Sequence, residues 1–378
     1  MIRKSLSITT TISLFLLTLI TGCQSAEPPQ TSTSSSSPTP TPKPSAEVSI
    51  NVPQKPLIVS PTNPETPTAA EVQTYLNRLT ANGFSSQNQG IWIQSGDTLL
   101  ANHQGTIPLP AASITKVATS LVALETFGPD HQFITLISAR GNVENGVLKG
   151  DLVIEGGADP LFVWEEAIAL GNALNRLGIR KVTGNLLITG NFLMNYQSDA
   201  QKSGELLKQA INSELWSADI TTIYQKMRTV APTPKPQVAI AGQVVVSREP
   251  IANTTLLIRH HSLPLTELLK RMNIYSNNAM AEMLANALGG ASVVQKIAAQ
   301  EAGVPPEQIQ LINGSGLGQE NRISPRAACG LFMAIQNYVR SEQMNIGDLF
   351  PIAGRDGGTL EDRNIPPNSV VKTGTLWN

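Results

Sequence analysis

Apolar positions recur at helical spacing in several stretches of the chain and alternate or cluster in others. Val72, Tyr75, Leu76 and Leu79 predict a helix beginning near Val72. Gly90–Gln94 and Thr98–Ala101, joined by Ser95-Gly96-Asp97, predict a hairpin. Ile114, Val117, Leu121 and Leu124 give one apolar face to a helix over Ser113–Phe127, and Gly128-Pro129 stops it. Phe133–Ile137 and Gly150–Glu155 predict strands, broken by Gly141-Asn142 and Asn145-Gly146. Ile168, Leu170, Leu174 and Leu177 predict a helix over 164–177, and Val182–Ile188 a further strand. Four helices follow, at 264–273, 279–288, 292–302 and 325–339, before an extended run, Ser369–Lys372. The mixture predicts an α/β (α+β) fold.

The first 70 residues follow different rules. Arg3 and Lys4 precede a largely apolar run, Leu6–Ile20, too short and too Ser/Thr-interrupted to span a bilayer, so 1–22 reads as an export signal. Its end, Ile20-Thr21-Gly22-Cys23, resembles a bacterial lipobox, with Ile where Leu is usual. Cys23 is then the expected lipidation site and the first mature residue; ordinary secretion with an incidental cysteine is the alternative. Residues 23–70 are rich in Ser, Thr and Pro and are expected to form a disordered tether. The expected location is an exported protein, lipid-anchored at a bacterial membrane and facing the periplasm or cell wall. The only other cysteine, Cys329, reads as a small buried hydrophobe. A net charge of −1 gives no electrostatic case for nucleic acid as a partner.

Three polar motifs stand in order: Ser113-Ile114-Thr115-Lys116, Ser276-Asn277-Asn278 and Lys372-Thr373-Gly374. Alone each is weak. About one S-x-x-K is expected by chance in such a chain, and Ser49-Ile50-Asn51 and Ser86-Gln87-Asn88 also match S-x-N, though out of order. Together they supply a nucleophile and its base. Lys116 lies one helical step from Ser113 and can take its hydroxyl proton only if burial or a second cation lowers its pKa. Lys372 is the candidate second cation. Ser276 is expected to relay a proton to the leaving amine, and Asn278 to hold Lys116 and a substrate amide; a plain N-cap for the helix starting near Ala279 is the alternative for this motif. Lys372 and Thr373 are expected to bind a carboxylate, Gly374 to admit substrate backbone, and the Thr375 N–H to complete an oxyanion hole with the helix N-terminus.

From about residue 90 onward the chain resembles the D-alanyl-D-alanine carboxypeptidase/endopeptidase family of low-molecular-mass (class C) penicillin-binding proteins. Besides the motifs, Pro110–Lys116, Gly141–Leu152, Gly157–Pro160, Asn313–Leu317 and Pro351–Leu360 carry the resemblance. It implies a β-lactamase-like catalytic domain from 71–129 and 258–378, with 130–257 as an inserted domain. It also implies a serine acyl-enzyme acting on peptidoglycan peptides, acylation by β-lactam antibiotics, and no metal or organic cofactor. The family continues beyond K-T-G with two strands and a helix; those C-terminal strands are missing here, and the chain is expected to be a truncated product.

Two other functions stay open. A serine β-lactamase needs a deacylating glutamate; Glu282-Met283-Leu284-Ala285-Asn286 has the letters but lies directly after Asn278, and is set aside as coincidental. A non-catalytic wall-peptide or penicillin-binding lipoprotein is the other. A metallopeptidase is disfavoured, because His103, His131, His260 and His261 form no ligand-spaced set with acids.

Overall fold

The computed structural model describes residues 58–376, and its first described residue already belongs to a core. Ile58 is 1% exposed and packs in the cluster built around the Ser113–Phe127 stretch. Asn102 Nδ2 donates to the Pro61 carbonyl at 2.9 Å, and Arg326 Nε donates to that of Val59 at 3.1 Å. The ordered chain thus starts before residue 70. Composition misplaces this boundary because a single buried isoleucine and a few main-chain hydrogen bonds suffice to fix a polar, Pro-rich segment against a neighbour. The expected signal (1–22), Cys23 and most of the tether lie outside the described residues.

The chain then forms α1 (Thr66–Ala81), the hairpin β1 (Ile91–Ser95) and β2 (Thr98–His103), a short β3 (Leu109–Pro110) and α2 (Thr115–Phe127). After α2 come β4 (Ile134–Glu144), β5 (Val147–Gly157), α3 (Trp164–Arg176), β6 (Lys181–Val182) and β7 (Leu186–Asn191). Next are α4 (Ala200–Ala210), α5 (Ala218–Val230), β8 (Ala239–Ile240), β9 (Val244–Val246) and β10 (Thr255–His261). The last part is α6 (Leu265–Tyr275), α7 (Asn278–Ala287), α8 (Ala291–Glu301), β11 (Ile309–Gln310), β12 (Arg322–Ile323) and α9 (Pro325–Ser341). Among the described residues no helix is long and apolar enough to cross a membrane.

Two large hydrophobic cores, with a small third cluster of Ile168, Ile220 and Tyr224, organise these elements. In the first, α2 is buried on every side from Thr115 to Leu124, rather than along one face, because α6, α7, α8 and α9 all pack around it. Two of its inward polar groups are paired, while Thr115 Oγ1 has no partner among the described residues: Thr119 Oγ1 donates to the Gly314 carbonyl at 2.7 Å, and Ser120 Oγ accepts from Asn273 Nδ2 at 3.1 Å. A buried polar group left unpaired would cost about 1–3 kcal/mol, so the sequence Thr-Ser at the centre of α2 is tolerated only in this frame.

The second core underlies a seven-stranded sheet. β10, β4 and β5 run antiparallel, while β5 pairs in parallel with β6 and β7, which extend to β8 and β9. α3 crosses between parallel strands, and Leu152, Ile154, Leu174, Leu186, Ile188 and Leu207 fill the space beneath. Gly141, read from sequence as a break, and Gly150, read as the start of the next strand, are paired opposite one another within the β4–β5 ladder. A side chain on either would strike the opposing backbone carbonyl at 2.2 and 1.9 Å, so glycine permits the close pairing instead of ending it.

The chain leaves the first core after α2 and returns before α6, and the two crossings are stitched together. Ser262 N donates to the Phe133 carbonyl at 2.9 Å, Phe133 N donates to Ser262 Oγ at 2.9 Å, and Leu265 N donates to the His131 carbonyl at 2.8 Å. At the other end, Ser369–Lys372 makes no ladder among the described residues. It is held by one bridge, Ile352 to Val370, and by Val371 N donating to the Pro351 carbonyl at 3.1 Å.

Candidate active site

Ser113 lies in a single 3₁₀ turn, Ala112–Ile114, that runs straight into α2. Ala112 precedes it with φ of 47°, a left-handed conformation that an alanine adopts only under constraint. The constraint comes from the loop Asn313–Leu317, where Gly316 at φ 85° lies so close that a side chain there would come within 1.8 Å of the Ala112 carbonyl oxygen. The nucleophile turn is thus wedged by a loop some 200 residues further along the chain.

Lys116, the second residue of α2, is fully buried. Its Nζ donates to Ser113 Oγ at 2.9 Å, Asn278 Oδ1 at 2.8 Å and the Ser315 carbonyl at 2.7 Å. Burial lowers its pKa from 10.5 to about 8, the Glu282 carboxylate pulling weakly the other way. A lysine so placed is neutral for a useful fraction of the time near neutral pH, and its free amine then faces the Ser113 hydroxyl.

Ser276 and Asn278 enter the same cleft from different elements. Ser276 terminates α6 in the left-handed conformation, φ 53°, ψ 40°. The helix cap, the alternative role for the motif, is made by Asn277, whose Oδ1 accepts from Met280 N at 3.0 Å. The sharp turn frees the Ser276 hydroxyl to accept from Lys372 Nζ at 3.0 Å, while Asn278, first residue of α7, reaches Lys116.

Lys372 is 8% exposed and also donates to the Thr373 carbonyl at 2.7 Å. Its pKa falls from 10.5 to about 7, chiefly by burial, then by the positive charges of Lys116 and Arg363. Thr373 Oγ1 donates to Thr359 Oγ1 at 3.0 Å, and Thr359 Oγ1 in turn bonds the Ile274 carbonyl at 3.3 Å, tying K-T-G to the end of α6. Gly374 is exposed, and a side chain there would come within 2.9 Å of the Ala111 carbonyl. Thr375 is also exposed, its hydroxyl accepting from Arg363 Nη2 at 3.4 Å. Beside the nucleophile turn opens a cavity of about 630 Å³, lined by Pro110, Ala111, Ala112, Ile114, Gly374 and Leu376.

Two contributors were not assigned from sequence. Glu282, set aside above, holds the Asn313–Leu317 loop: its carboxylate accepts from Gly314 N at 3.1 Å and Ser315 N at 3.0 Å. The Ser315 carbonyl then accepts from Lys116. A main-chain acceptor leaves no trace in the sequence; the nearest signal was the Asn313-Gly314-Ser315-Gly316 turn itself. Lys270, on α6, donates to the Gly347 and Phe350 carbonyls and to Asp356 Oδ2, the last at 2.6 Å, and so fixes the segment that bridges to Val370. Among the described residues no group of three or more His, Cys, Asp or Glu is placed to hold a metal ion. His260 does approach acids, with Nε2 3.7 Å from both Asp159 and Glu166.

The fold is that of penicillin-binding protein 4 and related peptidases. The predatory endopeptidase of Bdellovibrio bacteriovorus superposes with a TM-score of 0.63 at 23% identity, over 74% of this chain and 76% of that one. A further structure of that enzyme, acylated by penicillin G and bound to an immunity protein, gives 0.63 at 24%, over 74% and 75%. Penicillin-binding protein 4 of Haemophilus influenzae gives 0.55 at 20%, over 74% and 82%. By sequence the chain is 23% identical to the D-alanyl-D-alanine carboxypeptidase DacB of H. influenzae, over 74% of this chain and 77% of that one. Residues 72–206 and 203–378 match the D-Ala-D-Ala carboxypeptidase 3 (S13) family, and the chain belongs to that family.

Proposed function

We propose that this protein is a penicillin-sensitive serine D-Ala-D-Ala carboxypeptidase or endopeptidase acting on peptidoglycan stem peptides, with 71–129 and 258–378 as its catalytic domain and 130–257 as an insert. The observation that carries this reading is the 2.9 Å contact between Ser113 Oγ and a fully buried Lys116 Nζ. Neutral Lys116 takes the Ser113 proton as Oγ attacks the carbonyl carbon of the penultimate D-Ala. The negative oxygen that develops is stabilised by main-chain N–H groups at the start of α2 and at Thr375. Ser276, bonded to Lys372, passes a proton to the departing amine, breaking the C–N bond and leaving an ester on Ser113. Lys372 and Thr373 hold the substrate's terminal carboxylate. Water then attacks the ester and frees the enzyme. The penicillin G adduct of the Bdellovibrio relative supports β-lactam sensitivity.

A β-lactamase would require an activated water facing the ester. Glu282, the nearest letter match for a deacylating base, spends both oxygens on loop amides, which supports the slow-deacylating peptidase instead. A non-catalytic wall-peptide binder remains an outcome of the test. The full chain and Ser113→Ala are incubated with fluorescent penicillin. Persistent label on the parent alone fits the peptidase; rapid loss of label indicates a β-lactamase; no label on folded parent indicates a binder.

Lipid anchoring through Cys23 and location at the wall-facing side of a bacterial membrane complete the reading; they rest on Gly22-Cys23 after the apolar run. Metabolic labelling with a fatty acid tests them, and label retained in Cys23→Ser would overturn them.

A further inference from the structure

Far along the chain from the three motifs, one surface basin of about 320 Å³ is lined by Arg176, Arg180 and Lys235 together with Asn172, Asn175 and Gln237. The three cations are exposed, and none is in an ion pair with a described carboxylate, whereas Lys149, Lys202, Arg140 and Lys270 each have one. Sequence explains the imbalance: residues 167–198 contain Arg176, Arg180 and Lys181 and no acid, and residues 220–248 contain Lys226, Arg228, Lys235 and Arg248 and no acid. On a chain whose net charge is −1, this concentrates positive potential in one place.

The basin is also rigid. Lys235 sits between Pro234 and Pro236 on a strap pinned at three carbonyls around it. Tyr224 Oη donates to the Thr233 carbonyl at 2.8 Å, Asn172 Nδ2 to that of Pro234 at 2.9 Å, and Ser213 N to that of Pro236 at 2.9 Å. Asn175 Nδ2 donates to the Ile179 and Gln237 carbonyls at 2.9 Å and its Oδ1 accepts from Gln237 N at 2.8 Å, tying the strap to the segment that carries Arg180. Arg180 is itself fixed, its N donating to Gly146 and its carbonyl accepting from Ala239 N. Clustered cations repel one another and lower stability, so a rigid scaffold that holds them together has the form of a binding site and not of a solubilising surface. Arg176 at the last turn of α3 gains something from the helix dipole; Arg180, directly before β6, does not, and Lys235 on the strap has its Nζ 5.8 Å from the ring centroids of Trp216 and Tyr224.

We propose that this basin binds the anionic groups, carboxylate or phosphate, of a cell-wall glycan. Guanidinium forks suit both anions, and a second contact remote from the cleft would hold a polymeric substrate between cuts. The proposal rests on the wall-directed reading above. Its test uses the full chain carrying Ser113→Ala, so that nothing is cleaved, pelleted with purified sacculi at increasing salt, beside the same protein carrying Arg176→Gln, Arg180→Gln and Lys235→Gln. The expected result is about tenfold weaker pelleting of the triple variant near 0.15 M salt, converging with the parent at high salt. In a Ser113-containing background the triple variant keeps fluorescent penicillin labelling and equal or higher thermal stability. Sacculi stripped of phosphodiester-linked polymers separate the anions: retained binding assigns carboxylates and lost binding assigns phosphates, either supporting the basin. Equal pelleting of the two proteins, pelleting insensitive to salt, or binding to anionic phospholipid vesicles in place of sacculi overturns it. A parent that shows the pelleting difference but takes no penicillin overturns the catalytic reading and supports the basin.

Discussion

Lys116 and Lys372 are both buried, and none of their hydrogen bonds goes to a carboxylate. Lys116 spends its donors on Ser113, Asn278 and the Ser315 carbonyl, Lys372 on Ser276 and the Thr373 carbonyl. Buried ammonium groups are normally found paired. Here each is paired only with neutral oxygens, and the charge of Lys116 is felt at Lys372. The pair is therefore held in the state that acid–base chemistry needs.

The first consequence is in the pH dependence of acylation. Lys116 must be neutral to take the Ser113 proton, and its pKa is about 8, while Lys372 must be charged to hold an anion, and its pKa is about 7. The second-order rate of penicillin acylation is expected to be bell-shaped, with its maximum between about pH 7 and 8; the two limbs belong to the coupled pair. In Lys372→Gln the falling limb, which Lys372 sets, is lost as the rate drops, while the rising limb set by Lys116 stays near about pH 8. Stopped-flow acylation across pH checks this, and a falling limb that persists in Lys372→Gln refutes its assignment to Lys372.

The same burial affects stability. The folded pKa values lie below the unfolded value of 10.5, so the unfolded chain binds more protons between about pH 7 and 10.5, and stability rises with pH across that window. The penalty is fully present below about pH 7 and fades as pH approaches 10.5. At about 1.4 kcal/mol for each tenfold in the protonation equilibrium, it is on the order of 3 kcal/mol for Lys116 and about 5 kcal/mol for Lys372. Lys372→Met is expected to be more stable than the parent near pH 6, with the gain vanishing towards pH 10. Thermal unfolding at several pH values measures it; a gain that does not depend on pH would show that the methionine acts by packing alone.

Much of this architecture was legible in the sequence. The helices α2, α3, α6, α7, α8 and α9 fall within a few residues of their periodic patterns, because each places leucine, valine or alanine towards a core. α4 and α5 were not predicted. In α4 two of the four buried residues are Ser203 and Gly204, which leave only Leu207 and Ala210 to carry a hydropathic signature, and the further mark was the Asp199 cap accepting from Lys202 N at 2.7 Å. In α5 the periodic residues Ile220, Tyr224 and Met227 were hidden among threonines. The first and third motifs are also separable in kind. Ser113 and Lys116 meet through helical geometry that spacing dictates, while Lys372 meets Ser276 across 96 positions, a contact only the tertiary fold creates. Glu282 could not be read correctly, since its partners are main-chain amides.

Glu282→Gln separates the two roles a carboxylate could have at this place. As the anchor of Gly314 N and Ser315 N, its loss loosens the loop that positions Lys116, so acylation is expected to slow by at least about tenfold and stability to fall by about 1–3 kcal/mol. The carboxylate also raises the Lys116 pKa, so its removal shifts the base limb to lower pH. As a deacylating base, its loss would leave acylation unchanged and prolong the adduct. Acylation and label-loss rates measured on the one variant decide between them.

Gly316 is the narrowest contact between that loop and the nucleophile turn. Its φ of 85° disfavours any other residue, and an alanine Cβ would lie 1.8 Å from the Ala112 carbonyl oxygen, which belongs to rigid backbone. The clash can be relieved only by moving residues 314–317 or the turn that carries Ser113. Gly316→Ala is thus expected to lose more than about 2 kcal/mol of stability and to label with penicillin far more slowly even where it remains folded. Gly83→Ala, at a similar φ of 87° but with nothing within 4 Å of the new carbon, shares the backbone strain without the clash. It should lose about 1 kcal/mol and label at the parental rate. Chemical denaturation and labelling of the two variants side by side give the answer, and equal losses in both would mean that the Gly316 contact has no part in shaping the site.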